Sequence, residues 1–279
     1  ILGAERGFEI RWIPLTSDGH LDLDQLDQLL DGVKMVSVTA MSNVLGTLNP
    51  VREIADRAHE VGALVTVDAS QYVPHLPTNV NDLGADLMCF TGHKMCGPTG
   101  IGVLWGREEI LDSMPPFLGG GEMILDVRRD GFTPNELPHK FEAGTPPIAE
   151  IIGLGAAVSF LESLGMAEIR QHEIQLTEYA LNALGERYGD ELTIHGPKDA
   201  SQRGGVLSIQ YRDVHPHDLS QVLDQRGICV RAGHHCAKPL MRELGAGATA
   251  RASLYLYNDE SDIDALVDSL EPAGEMFAL

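Results

Sequence analysis

Between residues 33 and 68 the chain runs strand, helix, strand, and that succession narrows the fold more than any other feature. Residues 33–41 hold Val33, Met35, Val36, Val38, Ala40 and Met41 in one strand-like run. Residues 50–61 carry Val51, Ile54, Ala55 and Ala58 at helical spacing and stop at Gly62, and residues 63–68 are β-branched through Val65, Thr66 and Val67. Two buried strands joined by an amphipathic helix demand a parallel pair with a right-handed crossover, the unit of an α/β sheet. Leu87, Met88, Cys89 and Phe90 add a further short strand, and residues from Ile101 add an expected antiparallel edge.

In an open α/β sheet, ligands gather where the strands end, because the loops diverge there and leave a crevice. Two of these strands end in charged residues. The strand at 87–90 breaks at Thr91-Gly92-His93-Lys94, and the strand at 63–68 closes on Asp68. A lysine and a carboxylate at neighbouring strand mouths suit pyridoxal 5′-phosphate. The amine would hold the cofactor as a Schiff base, and the carboxylate would pair with the protonated ring nitrogen. Taken singly, Lys94 also reads as a solvated loop lysine and Asp68 as the N-cap of a helix opening at Ala69. Thr91 and His93 flank Lys94 as donors for a phosphate, although His93 taken alone reads equally as a structural loop histidine.

A second cluster lies at residues 231–237, Arg-Ala-Gly-His-His-Cys-Ala, in a short turn between strand-like pieces. The imidazoles and Arg231 would favour a thiolate at Cys236 and make it a nucleophile. An inert buried thiol is an alternative. So is a metal site of His234, His235 and Cys236, but consecutive residues chelate one tetrahedral ion poorly, so no metal is expected. Arg251 could clasp a substrate carboxylate in a bidentate fork, with Arg231 as a weaker candidate.

Five ordered segments, V-D-A-S-Q (67–71), T-G-H-K-x-x-G-P-T-G-I-G-V-L (91–104), F-E-A-G-T-P (141–146), V-R-A-G-H-H-C-A (230–237) and R-A-S-L-Y-L-Y-N (251–258), resemble the SufS-type, second-group cysteine desulfurases of pyridoxal-phosphate fold type I, within the class V aminotransferases. The resemblance covers nearly the whole chain. It implies a large cofactor domain with a mainly parallel sheet at residues 1–148, and a linking helix plus a smaller C-terminal α/β domain carrying the reactive cysteine at 149–279. It implies Lys94, Asp68, Asn43, Gln71, Thr91 and His93 at the cofactor, with Asn43 and Gln71 on its phenolic oxygen, and Thr145 reaching the cofactor phosphate of the other subunit of a homodimer. Asn43 before Gly46 also reads as an ordinary turn residue. It implies L-cysteine as substrate, its α-carboxylate on Arg251, catalysis by Lys94, His93 and Cys236, release of alanine, and a persulfide on Cys236 destined for iron-sulfur cluster assembly. The sulfur acceptor would be of SufU or SufE type, and His217 in Val214-His215-Pro216-His217-Asp218 would meet the zinc of a SufU-like partner; the segment reads equally as a helix start in which Asp218 favours the N-terminus and the histidines face solvent.

Selenocysteine lyase and other class V transferases are neighbouring alternatives; Cys236 argues against a plain aminotransferase, which needs no nucleophilic thiol. The chain opens on Ile1 where members of the resembled family carry a further N-terminal stretch, so the large domain is expected to be incomplete. A non-catalytic fragment that only dimerises or binds a sulfur-transfer partner is therefore a competing expectation. The run Gly119-Gly120-Gly121 lacks a leading strand and the G-x-G-x-x-G spacing, which disfavours a dinucleotide site.

Elsewhere residues 8–14 are expected to form a strand, 22–30 a helix, 114–144 a long loop, and 149–164 and 166–188 two helices. Further strands are expected at 206–211, 228–231 and 252–257, with helices at 218–226 and 259–270. Lys+Arg 20 against Asp+Glu 41 gives a net charge of −21, which repels nucleic acid and anionic membranes. Four cysteines without C-x-x-C spacing suggest reduced thiols, and with no run of about 20 apolar residues the expected location is cytoplasmic.

Overall fold

The computed structural model describes residues 1–277. The first part holds α1 (Leu2–Arg6), α2 (Leu26–Leu29), β1 (Met35–Thr39), α3 (Val51–Glu60), β2 (Leu64–Asp68), α4 (Val80–Leu83), β3 (Leu87–Thr91), β4 (Gly102–Gly106), α5 (Glu108–Ser113), β5 (Ile124–Arg128) and β6 (Gly131–Pro134). Two long helices follow, α6 (Ile148–Leu164) and α7 (Met166–Tyr188). The remainder is β7 (Leu192–His195), β8 (Val206–Tyr211), α8 (Pro216–Asp224), β9 (Arg231–Gly233), α9 (Lys238–Glu243), β10 (Thr249–Ser253) and α10 (Glu260–Phe277).

One sheet runs β1-β2-β3-β4, the first three strands parallel and β4 antiparallel against β3. α3 packs Val51, Ile54, Ala55 and Ala58 onto the face formed by Val36, Val38, Val65 and Val67. Its exposed side is laced by Arg52–Asp56 and Glu53–Arg57 pairs one turn apart, the spacing at which side chains on a helix meet. The second sheet, β7-β8-β10-β9, is antiparallel throughout and is roofed by α7, α8 and α10. Its core includes Leu184, Leu207, Ile209, Tyr211, Leu219, Leu223 and Leu270.

Several expectations need correction. Residues 8–14 form no strand; Phe8, Ile10 and Trp12 are exposed, and only an isolated bridge, Leu15 to Leu21, pairs nearby. Alternation there meets no sheet edge. Residues 114–144 are not one loop, because β5 and β6 pair around Arg129-Asp130. The strand expected at 228–231 sits at Arg231–Gly233, and the one expected at 252–257 sits at Thr249–Ser253. The latter ends early because the amide N–H of Tyr255 donates to the Asn258 side chain and turns the chain away. β7 was not foreseen.

The two sheets are clamped together at the loop after β1. Ser208 Oγ donates to the Val44 carbonyl at 2.6 Å, and the amide N–H of Leu48 donates to the Gln202 carbonyl. Gly46 (φ 73°) lies so close to Gly204 that a Cβ on it would stand 2.9 Å from the Gly204 carbonyl oxygen. A Cβ on Gly204 would overlap the Met41 side chain, so this contact requires glycine.

α7 also carries a buried ion cluster. Glu173 is fully buried, 2.5 Å from His75 Nδ1 and 3.7 Å from Arg170. The Arg170 guanidinium donates to the carbonyls of Ala200 and Ser201. Tyr255 stacks edge-on against His75 and donates its hydroxyl to the Pro74 carbonyl. Among the described residues no single helix is long and apolar enough to cross a membrane.

Candidate active site

Parallel pairing brings the carboxyl ends of β1, β2 and β3 to one edge, with Thr39 beside Asp68 and Asp68 beside Cys89. Past β1 lies Asn43, β2 ends on Asp68, and β3 passes through Thr91 into a single tight turn, Gly92–Lys94. That turn is closed by the Gly92 carbonyl, which accepts from the amides of both Met95 and Gly97. Asp68 Oδ1 accepts from the Ser70 amide at 2.9 Å. The residues after it form turns rather than the helix that an N-cap would open.

Lys94 is half-buried, and burial is the main cause holding its ammonium below the ordinary lysine range. Asp68 opposes that shift, Arg251 adds to it, and Cys236 opposes it more weakly. Lys94 thus feels Asp68 from its own sheet and Arg251 and Cys236 from the second part of the chain. Thr91 Oγ1 is buried without a hydrogen-bond partner among the described residues, and His93 is exposed beside it.

These residues fit pyridoxal 5′-phosphate. A partly desolvated amine of lowered basicity suits capture of an aldehyde, a carboxylate at the adjacent strand mouth suits a protonated ring nitrogen, and the orphaned Thr91 hydroxyl supplies a donor.

The small sheet supplies the thiol. β9 ends at Gly233, and His235 and Cys236 both adopt left-handed backbone, φ 50° and 61°. For residues other than glycine each such conformation costs about 1–3 kcal/mol and persists only where the surroundings enforce it. His235 is buried, and its Nε2 lies 2.7 Å from Thr249 Oγ1 on β10. Burial, assisted by Arg251 and Arg231, pushes its imidazole down to about 4, so the ring is neutral at pH 7. The His235 carbonyl accepts from Asn43 Nδ2 at 2.8 Å. Cys236 is exposed, with Arg231 Nη2 donating to its Sγ at 3.7 Å.

Arg251 lies directly opposite Arg231 in the β10–β9 pair. Burial and the Arg231 charge both lower the pKa of Arg251, and Cys236 counters them. Nη1 of Arg251 donates to the Asn43 carbonyl at 2.8 Å, while its buried Nε has no partner among the described residues. A guanidinium anchored at one nitrogen and unsatisfied at another is suited to receive a carboxylate.

The remaining expected residues are placed as follows. Gln71 is half-buried in the turn after Asp68, and Thr145 is exposed ahead of α6 without a side-chain hydrogen bond to the others among the described residues. Asn43, expected on a cofactor oxygen, gives one of its two amide hydrogens to the His235 carbonyl. His234, His235 and Cys236 do not converge, since His235 turns inward to Thr249 while its neighbours face out. Thr249 and Ser208 were missed; each is a small hydroxyl inside a strand, with nothing in its local sequence to mark a distant partner.

The aminotransferase class-V family model matches residues 2–266. A probable cysteine desulfurase of Streptomyces coelicolor is 54% identical over 278 residues, covering 99% of this chain and 66% of that protein. A cysteine desulfurase of Haloferax volcanii is 49% identical, covering 99% of this chain and 65% of that protein. The chain therefore spans just under two thirds of the length of these curated relatives. Among solved structures, the apo cysteine desulfurase of Thermococcus onnurineus NA1 superposes with a TM-score of 0.94 at 38% identity, covering 99% of this chain and 68% of that one. The cysteine desulfurase CsdA of Escherichia coli gives 0.92 at 36%, with the same coverage. Family members depend on pyridoxal 5′-phosphate, and the mixed sheet with Lys94 and Asp68 at its carboxyl edge has their fold type I architecture. By sequence and by fold, the chain belongs to the class-V aminotransferase family.

Proposed function

We propose that this protein is a cysteine desulfurase that converts L-cysteine to L-alanine and keeps the sulfur as a persulfide on Cys236. The observation that carries this reading is the exposed Cys236 thiol, hydrogen-bonded by Arg231 and within electrostatic reach of Lys94. When bound, pyridoxal 5′-phosphate supplies an electron sink for the substrate α-carbon. Lys94 would hold the cofactor and relay the substrate α-proton, and Asp68 would pair with its ring nitrogen. Thr91, His93, Asn43 and Gln71 would line it. Arg251 orients the substrate carboxylate, with Arg231 beside the thiol. The Cys236 thiolate attacks the substrate sulfur: the carbon–sulfur bond breaks, its electron pair stays on carbon, a sulfur–sulfur bond forms, and the carbon takes up a proton to leave as alanine. A simple transaminase has no use for such a thiol, which favours the desulfurase over its relatives; selenocysteine is the alternative substrate.

We further infer a homodimer, supported by the exposed apolar side chains of Phe117, Leu118, Leu125, Val127, Phe132 and Ile152, with Thr145 directed to the second subunit's phosphate. The acceptor is of SufU or SufE type within iron-sulfur cluster assembly, and exposed His217 at the start of α8 supports the SufU class. The test is the visible spectrum and alanine release of the chain with added pyridoxal 5′-phosphate and L-cysteine, compared with Lys94→Ala. A cofactor band fixed by borohydride in the parent and absent in the variant, with alanine formed only by the parent, is expected. A cofactor linkage that survives in Lys94→Ala, or a parent without a band, would sink the assignment.

A further inference from the structure

The turn bearing Cys236 is held by Asn43, His235 and Thr249, and their contacts join the two sheets. His235 and Cys236 are consecutive non-glycine residues in left-handed backbone. A free chain would leave that conformation, so something must enforce it. Two contacts do. On one side the buried His235 ring meets the Thr249 hydroxyl at 2.7 Å; on the other, the His235 carbonyl receives the Asn43 amide at 2.8 Å. Asn43 is itself fixed, because its own carbonyl accepts from Arg251 at 2.8 Å.

We propose that Asn43, His235 and Thr249 form a positioning relay that pins the Cys236 turn and so presents its sulfur to Arg231, coupling the strand mouth on the cofactor side to the thiol. This rests on the reading of Cys236 as the nucleophile. A neutral His235 suits the role, since a ring that keeps one nitrogen free of a proton can either donate to or accept from Thr249. The relay sets thiol reactivity in a definite direction. Iodoacetamide is attacked by a thiolate, and the turn brings Sγ to 3.7 Å from the positive charge of the Arg231 guanidinium. Because Cys236 is already exposed, loosening the turn adds no access and only takes the sulfur away from that guanidinium.

The experiment alkylates the chain with iodoacetamide at pH 7, without cofactor or substrate, and follows each cysteine by peptide mass mapping. Asn43→Ala removes the donor to the His235 carbonyl; Thr249→Val removes the hydroxyl while keeping the shape; Thr249→Ser keeps the hydroxyl. Asn43→Ala and Thr249→Val are each expected to slow labelling of Cys236 by about threefold or more, roughly the weight of one hydrogen bond. Thr249→Ser should label at the parental rate, and Cys96 and Cys229 should be unaffected in every variant. A Cys236 rate that is unchanged or faster in either of the first two variants, that falls together with Cys96 and Cys229, or that is not rescued by serine overturns the relay. Labelling needs no turnover, so a chain that passes this test yet forms no alanine refutes the desulfurase and leaves the relay standing.

Discussion

Replacing Glu173 by alanine should be among the most destabilising single changes in the molecule. Glu173 is fully buried and balances two basic groups, His75 at 2.5 Å and Arg170 at 3.7 Å, both with side chains at most 10% exposed. Removing the carboxylate leaves a buried guanidinium with only the carbonyls of Ala200 and Ser201 for compensation. Breaking a buried pair from one side costs about 3–5 kcal/mol, whereas replacing the whole group with apolar side chains of similar volume is close to neutral. At about 2–4 °C per kcal/mol for a chain of this order of size, the midpoint should fall by roughly 10 °C. Urea unfolding at pH 7, followed by circular dichroism, measures the loss for Glu173→Ala and for the triple change His75→Phe, Arg170→Met, Glu173→Leu. The single variant should lose several kcal/mol and the triple variant should recover most of it. A loss below about 1 kcal/mol for Glu173→Ala, the size of a solvated pair, would refute the reasoning.

Asp68→Asn should still bind pyridoxal 5′-phosphate but lose most alanine formation, since an amide no longer favours a protonated ring nitrogen; unchanged turnover with L-cysteine would contradict the assignment. His235 is held near 4 in the fold against an ordinary value of 6.5. Being depressed, it contributes stability that is complete above about pH 6.5 and is lost as pH falls toward 4, because the unfolded chain then binds the extra proton. His235→Gln should flatten the stability profile in that window, and an equal slope in both proteins would count against a buried neutral ring. His217→Ala should abolish stimulation by a zinc-containing SufU-like acceptor and leave turnover with a small thiol reductant intact; equal stimulation of parent and variant removes His217 from the interface.

The parallel core was legible because its signals are local. Val51, Ile54, Ala55 and Ala58 repeat at the helical period, and Val65 and Val67 alternate in a strand that had to be buried. Lys94 and Asp68 stood out for the same reason, each being a charged residue where an apolar run stops. Residues 8–14 misled because alternation alone does not supply a neighbouring strand. The hairpin at Ile124–Pro134 was hidden by the glycines and prolines around it. What holds Cys236 was not legible at all: Asn43 and His235 are 192 positions apart, and a threonine in a strand carries no mark of the imidazole it will meet.

The glycine clamp between Gly46 and Gly204 has a kinetic consequence. The glycines let the two backbones touch, and Ser208 and Arg251 are each tied to backbone across the joint, so the small sheet is bonded to the large one at several points here. A thiol carried on so bonded a frame is expected to stay in place rather than carry its sulfur outward on a swinging arm. Under the proposed activity, the acceptor must travel to the thiol and wait its turn there. Steady-state rates should then follow a ping-pong pattern, with parallel lines in double-reciprocal plots of L-cysteine against acceptor, and at saturating L-cysteine the frequency of acceptor visits sets the flux.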